Sequence, residues 1–299
     1  MVTLDRMGVG GSVKRSNKEG GFMKRPIRFN RVLRWKLIGM NLILIATIFI
    51  ACDQKSNLPT RAGPDYPLIL SAMDFNVPED MKREYKEDAA RLAFRKVEEL
   101  GGYFTEQIEL PQDLINSLYS ALIHIYNSRT PGRDSIVRML HIHTMEDYSV
   151  HWLVLTLDTS YQWVKTWGNG KRLSGRADIE ELVRKYDLWV SYCDTFCSGE
   201  IGMTLWTPQY LYTPALAKKF AVIEGILEAY GGRMIFEKEE IEATADENSW
   251  RVRFGLGWGQ ECLIDCPALH FWEFRVYVNG KVEQCGSWGE PVPTWLLPK

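Results

Sequence analysis

The sequence predicts an α+β fold with a mixed or antiparallel sheet and helices on one face. Three patterns carry that reading: two amphipathic helical runs after residue 76, alternating β-rich and helical runs from 150 to 230, and period-two alternation beyond 250. Taken in order, Asn76 to Glu79 has capping-box spacing with Pro78 inside the first turn. Met81, Tyr85, Ala89, Leu92 and Val97 then recur at helical spacing until Gly101-Gly102. A strand is expected over 103–109. Pro111 opens a second helix whose Leu114, Leu118, Leu122 and Ile125 share a face, ending near Ser128 ahead of Pro131-Gly132.

Strands are then expected at 135–143, 150–157, 188–193, 202–206 and 225–230. Helices are expected at 160–167, 177–186 and 213–222. From 150 to 230 the order is strand, crossover, strand, strand, crossover, strand, the βαββαβ order of a ferredoxin-like split βαβ. In the last third Trp250, Val252, Phe254 and Leu256 alternate with Arg251 and Arg253, and 271–278 repeats the device. Val278-Asn279-Gly280-Lys281 predicts a type I′ turn into 281–285, giving a C-terminal β-hairpin region. The charge run at 237–242 reads as a solvated turn or helix start.

Near the N-terminus, residues 37–51 form an apolar run behind a basic patch of Lys24, Arg25, Arg28, Arg31, Arg34 and Lys36, and Cys52 follows at once. This is the layout of an export signal, and the run falls short of the ~20 residues of a comfortable span. Phe49-Ile50-Ala51-Cys52 resembles the lipobox of bacterial lipoproteins. The resemblance implies acylation of Cys52, cleavage before it, and tethering of the mature chain to a lipid bilayer in the bacterial cell envelope, periplasmic or outer-surface. A rival reading keeps the run as an N-terminal membrane helix. Met23 would itself open a normal signal peptide. The expected organisation is a signal at 1–51, a lipid anchor and flexible tether at 52–73, and one α+β domain at 74–299 that subdivides, if anywhere, near 148 or 232.

The formal net charge is −2, and the strongest basic cluster lies in the signal. That excludes a concentrated Lys/Arg footprint for nucleic acid. Eleven tryptophans, nearly all beyond Tyr148, suit a sheet core or an aromatic binding surface, core packing being the preferred reading. In an oxidising compartment Cys193, Cys197, Cys262 and Cys266 are disulfide candidates, with Cys285 left over. The competing readings are a four-thiolate zinc site, a redox-active pair, and long-range pairing between the two clusters, since spacing does not encode connectivity. Cysteines four apart on an extended strand sit ~13 Å apart, so each short loop would have to turn back.

The loop 257–267 is too long for a simple turn and rich in special residues. With its flanks it supplies a candidate ligand or partner site: Trp258, Glu261, Asp265, His270 and Glu273. Gly257-Trp258-Gly259, the pair Cys262 and Cys266, and His270-Phe271-Trp272 ahead of an alternating strand resemble a recurring segment of uncharacterised bacterial secreted proteins and lipoproteins. That resemblance implies an exported α+β domain and no assigned activity.

His141-x-His143 on a strand would share a face, with His151 as a third nitrogen, the arrangement a metal site requires; an exposed or cross-strand pair is the preferred reading. There is no Gly-x-Ser-x-Gly, Ser-x-x-Lys or His-Glu-x-x-His motif, and Gly168-x-Gly170 lacks the strand that precedes a phosphate loop. Neither cofactor nor metal is expected. The expectation is therefore a non-catalytic envelope domain that binds an unknown protein, peptide or envelope ligand. The alternative is an envelope hydrolase with a site around the Cys262–Cys266 loop.

Overall fold

The computed structural model describes residues 66–144, 149–168, 173–196, 199–232, 239–259 and 268–297. Helix α1 spans Glu79–Leu100, with Pro78 at its N-cap and Glu79 and Asp80 in its first turn, where they complement the helix dipole. The side chain of Asn76 caps nothing. The helix stops at Gly101, whose φ of 61° suits a residue without Cβ. Tyr85, Asp88, Ala89, Leu92, Phe94 and Val97 are its buried stripe.

Residues 102–106 form a 3-10 turn in place of the expected strand, and Glu109 alone makes a bridge, to Leu211. Helix α2, Gln112–Asn127, then follows Pro111. The expected strand at 135–143 is also replaced. Helix α3, Pro131–Asp134, continues as a π-turn through Ser135–Met139, closed by Leu140 N–H donating to the Ser135 carbonyl at 3.0 Å. Pro131 presets the first helical turn, and a short apolar run cannot decide between helix and strand by periodicity.

The first sheet comprises β1 Trp152–Leu157, β2 Trp189–Thr195, β3 Ile201–Trp206 and β4 Ile226–Tyr230. Its order is β2-β3-β1-β4 with every neighbour antiparallel, the topology of the split βαβ. Helices α4 Gln162–Gly168 and α5 Ala177–Lys185 cross from β1 to β2, and α6 Thr213–Ala221 crosses from β3 to β4. Leu153, Leu155, Leu157, Met203 and Leu205 point to the helix-covered face, with Val164, Ile179, Leu216 and Phe220 buried from the helices.

The second sheet is a meander of β5 Glu239–Ala245, β6 Ser249–Trp258, β7 Ala268–Tyr277 and β8 Val282–Gly289. The run read as a solvated turn thus enters β5: Ile241 is fully buried opposite Phe254 while Glu242 faces Arg253. Charges on alternate positions mark a half-wet strand as well as they mark a loop. Trp250, Val252, Phe254, Trp272, Phe274 and Val276 form its inner face and pack with α1 and α2. Burying each large side chain is worth about 1.5–3 kcal/mol. The β7–β8 hairpin turns where expected, but Gly280 alone takes positive φ, +82°; Gly280 N–H donates to the Tyr277 carbonyl at 2.8 Å. This is a type I turn closed by a glycine bulge, not type I′.

The segment expected to be a tether is fastened from Tyr66 onward. Ser117 Oγ donates to the Pro67 carbonyl at 2.7 Å and accepts from Ile69 N–H at 3.0 Å, while Trp250 Nε1 donates to the same Ser117 Oγ at 3.0 Å. All described residues fall in one compact unit. Among them no helix is long and apolar enough to cross a membrane; residues 37–51 and Cys52 lie outside the described range.

Candidate functional site

Strand alternation gives the first sheet one helix-covered face and one open face. The open face carries Trp152, Val154 and Thr156 from β1, Gly202, Thr204 and Trp206 from β3, and Trp189 and Tyr192 from β2. Register aligns Trp152 with Trp206 and Trp206 with Trp189, so three tryptophans from three adjacent strands lie in one row. The Trp189 and Trp206 rings are 4.3 Å apart between centroids at 42°. Gly202 has no side chain, and the Phe196 ring lies across it: a Cβ there would fall 2.5 Å from Phe196 Cζ. Trp189, Tyr192, Phe196 and Tyr230 are 47, 60, 50 and 48 % exposed, far above a packed core aromatic.

The end of this row is tied to α1. His151 stacks on Trp206 at 5.4 Å and 22°. Its Nδ1 lies 3.0 Å from the Thr207 carbonyl, and its Nε2 lies 3.0 and 3.1 Å from the two oxygens of Glu87. Burial alone would raise the Glu87 carboxyl, but the hydrogen bond and charge of His151, with Arg91 and Tyr210, hold it below its ordinary range. The Tyr210 hydroxyl, half-buried and facing that carboxylate, is pushed up to about 12.

At the next residue of the helix, the buried Asp88 receives Thr144 N–H at 2.8 Å and Thr144 Oγ1 at 2.6 Å, and its Oδ2 lies 2.6 Å from His143 Nδ1. Glu84, Glu87, Asp88 and Arg91 therefore form one polar stripe at helical spacing. Each of His143 and His151 is committed to a carboxylate of that stripe. His141, in a left-handed conformation at φ 48° and exposed, shares no strand face with His143. Among the described residues no group of three or more His, Cys, Asp or Glu is placed to hold a metal ion.

The site expected around the cysteine loop divides differently. Trp258 is half-buried at the end of β6. His270 packs its ring 4.4 Å from Trp272, with Nδ1 2.7 Å from the Glu290 carbonyl and Nε2 2.7 Å from Ser287 Oγ. Both ring nitrogens are occupied by structural partners. Glu273, an odd number of residues along β7, faces the opposite side of the sheet from His270. The two are not brought together, and a hydrolytic pair from them loses the convergence it requires. Glu261, Asp265, Cys262, Cys266 and Cys197 lie outside the described residues.

Cys193 and Cys285 are free thiols. Cys193 sits within extended β2, and such a strand does not fold back on a near neighbour; its Sγ approaches the Gly168 carbonyl at 3.4 Å. Burial first, then Asp194, raises the Cys193 thiol, and burial first, then Glu273, raises that of Cys285. Cys193 is thus no disulfide half in this structure.

The aromatic row was missed from sequence because Trp152, Trp189 and Trp206 sit at strand ends, where only the register shows that they meet. The available signal was the tryptophan that begins or ends each of three short strands. Compared with models of known protein families, with curated proteins and with solved structures, the chain matches none.

Proposed function

We propose that this chain is a bacterial envelope lipoprotein, held to the bilayer through acylated Cys52, whose folded domain is a non-catalytic module that binds a partner polypeptide on the open face of the first sheet. The observation that carries the reading is the baring of Trp189, Tyr192, Phe196 and Tyr230, each about half exposed, around a tryptophan row on one sheet face. Trp and Tyr are the residues that supply most binding energy at protein interfaces, because they bury large rigid area at low entropic cost. The face carries Asp194 and Glu228 and no lysine or arginine among its strand positions, which disfavours a polyanionic ligand. Two or three acyl chains, at about 0.8 kcal/mol per buried CH₂, supply stable anchoring beside such a partner.

A photocrosslinking amino acid at Tyr192 or Tyr230, in the chain expressed in a bacterial envelope, tests the reading. Discrete protein adducts at these positions, and none from Val222 on the helical side, are expected. Equal labelling at all three sites, or none, overturns it. Failure of Cys52→Ala to release the chain from the membrane fraction would overturn the anchoring half separately.

A further inference from the structure

β2 is an edge strand. It pairs with β3 on one side, and among the described residues no backbone hydrogen bond joins 189–195 to anything else. An edge of this kind presents alternate N–H and C=O groups as a template for another strand, and proteins usually blunt it with lysine, proline or a covering helix. Trp189–Thr195 contains neither residue. Instead of covering the edge, α5 leaves a cleft of about 840 Å³ beside it. Val183, Leu188 and Val190 give that cleft apolar walls, and Glu180, Glu181 and Asp187 outnumber Arg184 at its rim.

We infer that β2 captures an extended peptide of alternating apolar and basic residues, which adds to the first sheet as a fifth strand. The inference rests on the partner-binding reading above and names the partner's chemistry. Main-chain hydrogen bonds to β2 supply affinity, and alternation divides the side chains between two environments. Those on one face, the basic residues, enter the cleft, with alkyl stems against Val183 and Val190 and charged ends meeting Glu180, Glu181 and Asp187. Those on the other extend the aromatic surface of Trp189 and Tyr192.

A second copy of the chain is a poorer occupant for two reasons. The β2–β3 register shifts between Val190 and Tyr192, and a bulged edge twists away from rigid sheet-to-sheet pairing while a single flexible strand follows it. Pairing β2 with its own copy would also bring two identical acidic rims together, with like charges opposed.

The test uses the full chain in detergent micelles and a fluorescent seven-residue peptide, matching the length of β2, that alternates valine and lysine. Anisotropy is expected to show saturable binding that weakens about tenfold or more when alternate backbone nitrogens are methylated in one phase and little in the other, as loss of one or two hydrogen bonds gives. Glu181→Lys is expected to weaken the lysine peptide several-fold and improve a valine–glutamate counterpart.

Equal binding of both methylated phases and the parent overturns strand addition. Equal binding of lysine and glutamate peptides overturns the charge assignment. Concentration-dependent dimers dispersed by the peptide would assign the edge to a second copy and overturn the inference. If crosslinks at Tyr192 persist while no peptide binds, the inference fails and the partner-binding reading stands; if both are absent, both fail.

Discussion

His143 Nδ1 lies 2.6 Å from Oδ2 of Asp88, a carboxylate that is 1 % exposed and whose other oxygen is filled by Thr144. A buried carboxylate persists only with partners, and this one joins α1 to the chain that leads into β1. His143 Nε2 is also 3.1 Å from Glu84, an ion contact not aligned for a hydrogen bond. The pair is thus a clasp between α1 and the segment that precedes β1, on the residue next to the Glu87 whose contact with His151 braces Trp206.

The clasp makes stability pH-dependent in a defined sense. Burial opposes protonation of His143, but the Asp88 hydrogen bond and charge, with Glu84, outweigh it and raise the imidazole above 6.5. A raised native value means stabilisation that is complete below the ordinary histidine value and lost as pH rises through the native one. Urea unfolding of the wild type is therefore expected to weaken as pH climbs from about 6 toward 9, and Asp88→Asn to flatten that slope while costing about 3 kcal/mol or more at the acid end. An unchanged slope in the variant would show that the histidine charge is not read by Asp88.

Ser117 is the hub that fastens the segment beginning at Tyr66. Its hydroxyl donates to Pro67, accepts from Ile69 N–H, and accepts from the Trp250 indole. Ser117→Ala leaves a buried amide and a buried indole N–H competing for the Pro67 carbonyl, so a loss of about 1–3 kcal/mol is expected. Hydrogen exchange should show Ile69 losing protection in the variant while β7 keeps its own. Loss spread evenly over both sheets would instead mean that Ser117 supports the whole core.

Gly202 in β3 and Gly231 just past the end of β4 answer differently to one methyl group. A Cβ on Gly231 would fall 2.5 Å from the Thr213 carbonyl oxygen, backbone at the start of α6 that cannot swing aside. On Gly202 the obstacle is the ring of Phe196, half exposed and able to rotate into solvent. Gly231→Ala is expected to cost about 1–3 kcal/mol and Gly202→Ala well under half of that. The second variant has a distinct readout: displacing Phe196 alters the open face, so crosslinking at Tyr192 should change while the melting temperature barely moves.

Periodicity made the two long helices and the seven strands between Trp152 and Gly289 that were expected legible, because each had several apolar positions on one face and a glycine, proline or charge at its ends. The split βαβ order followed from that alternation, and its strand order in the sheet agrees. What was illegible has physical causes. The run at Ser135–Met139 is too short for its period to be read, and β5 hid one buried residue, Ile241, among glutamates. The aromatic row depends on register, which no single strand encodes. The carboxylate partners of His143 and His151 lie 55 and 64 residues away in sequence, so histidines scanned against their near neighbours offered only an exposed or cross-strand pair and, as the lesser reading, a metal trio.

The thiols give a direct check on the sulfur chemistry. Cys285 is exposed on β8 and Cys193 half-buried on β2, and each is raised by burial and a neighbouring carboxylate. Little thiolate exists at neutral pH in such settings, so alkylation is slower than for an ordinary free cysteine, and slowest at Cys193, where Sγ is turned toward Gly168. Iodoacetamide applied to the unreduced, denatured chain should therefore modify both positions fully, while the native chain is modified first at Cys285. Peptide mapping that finds Cys193 blocked until a reductant is added would mean that it is covalently paired in the native protein. β2 would then have to leave its extended path at Cys193, and the edge strand proposed to take a peptide would be closed by its own disulfide.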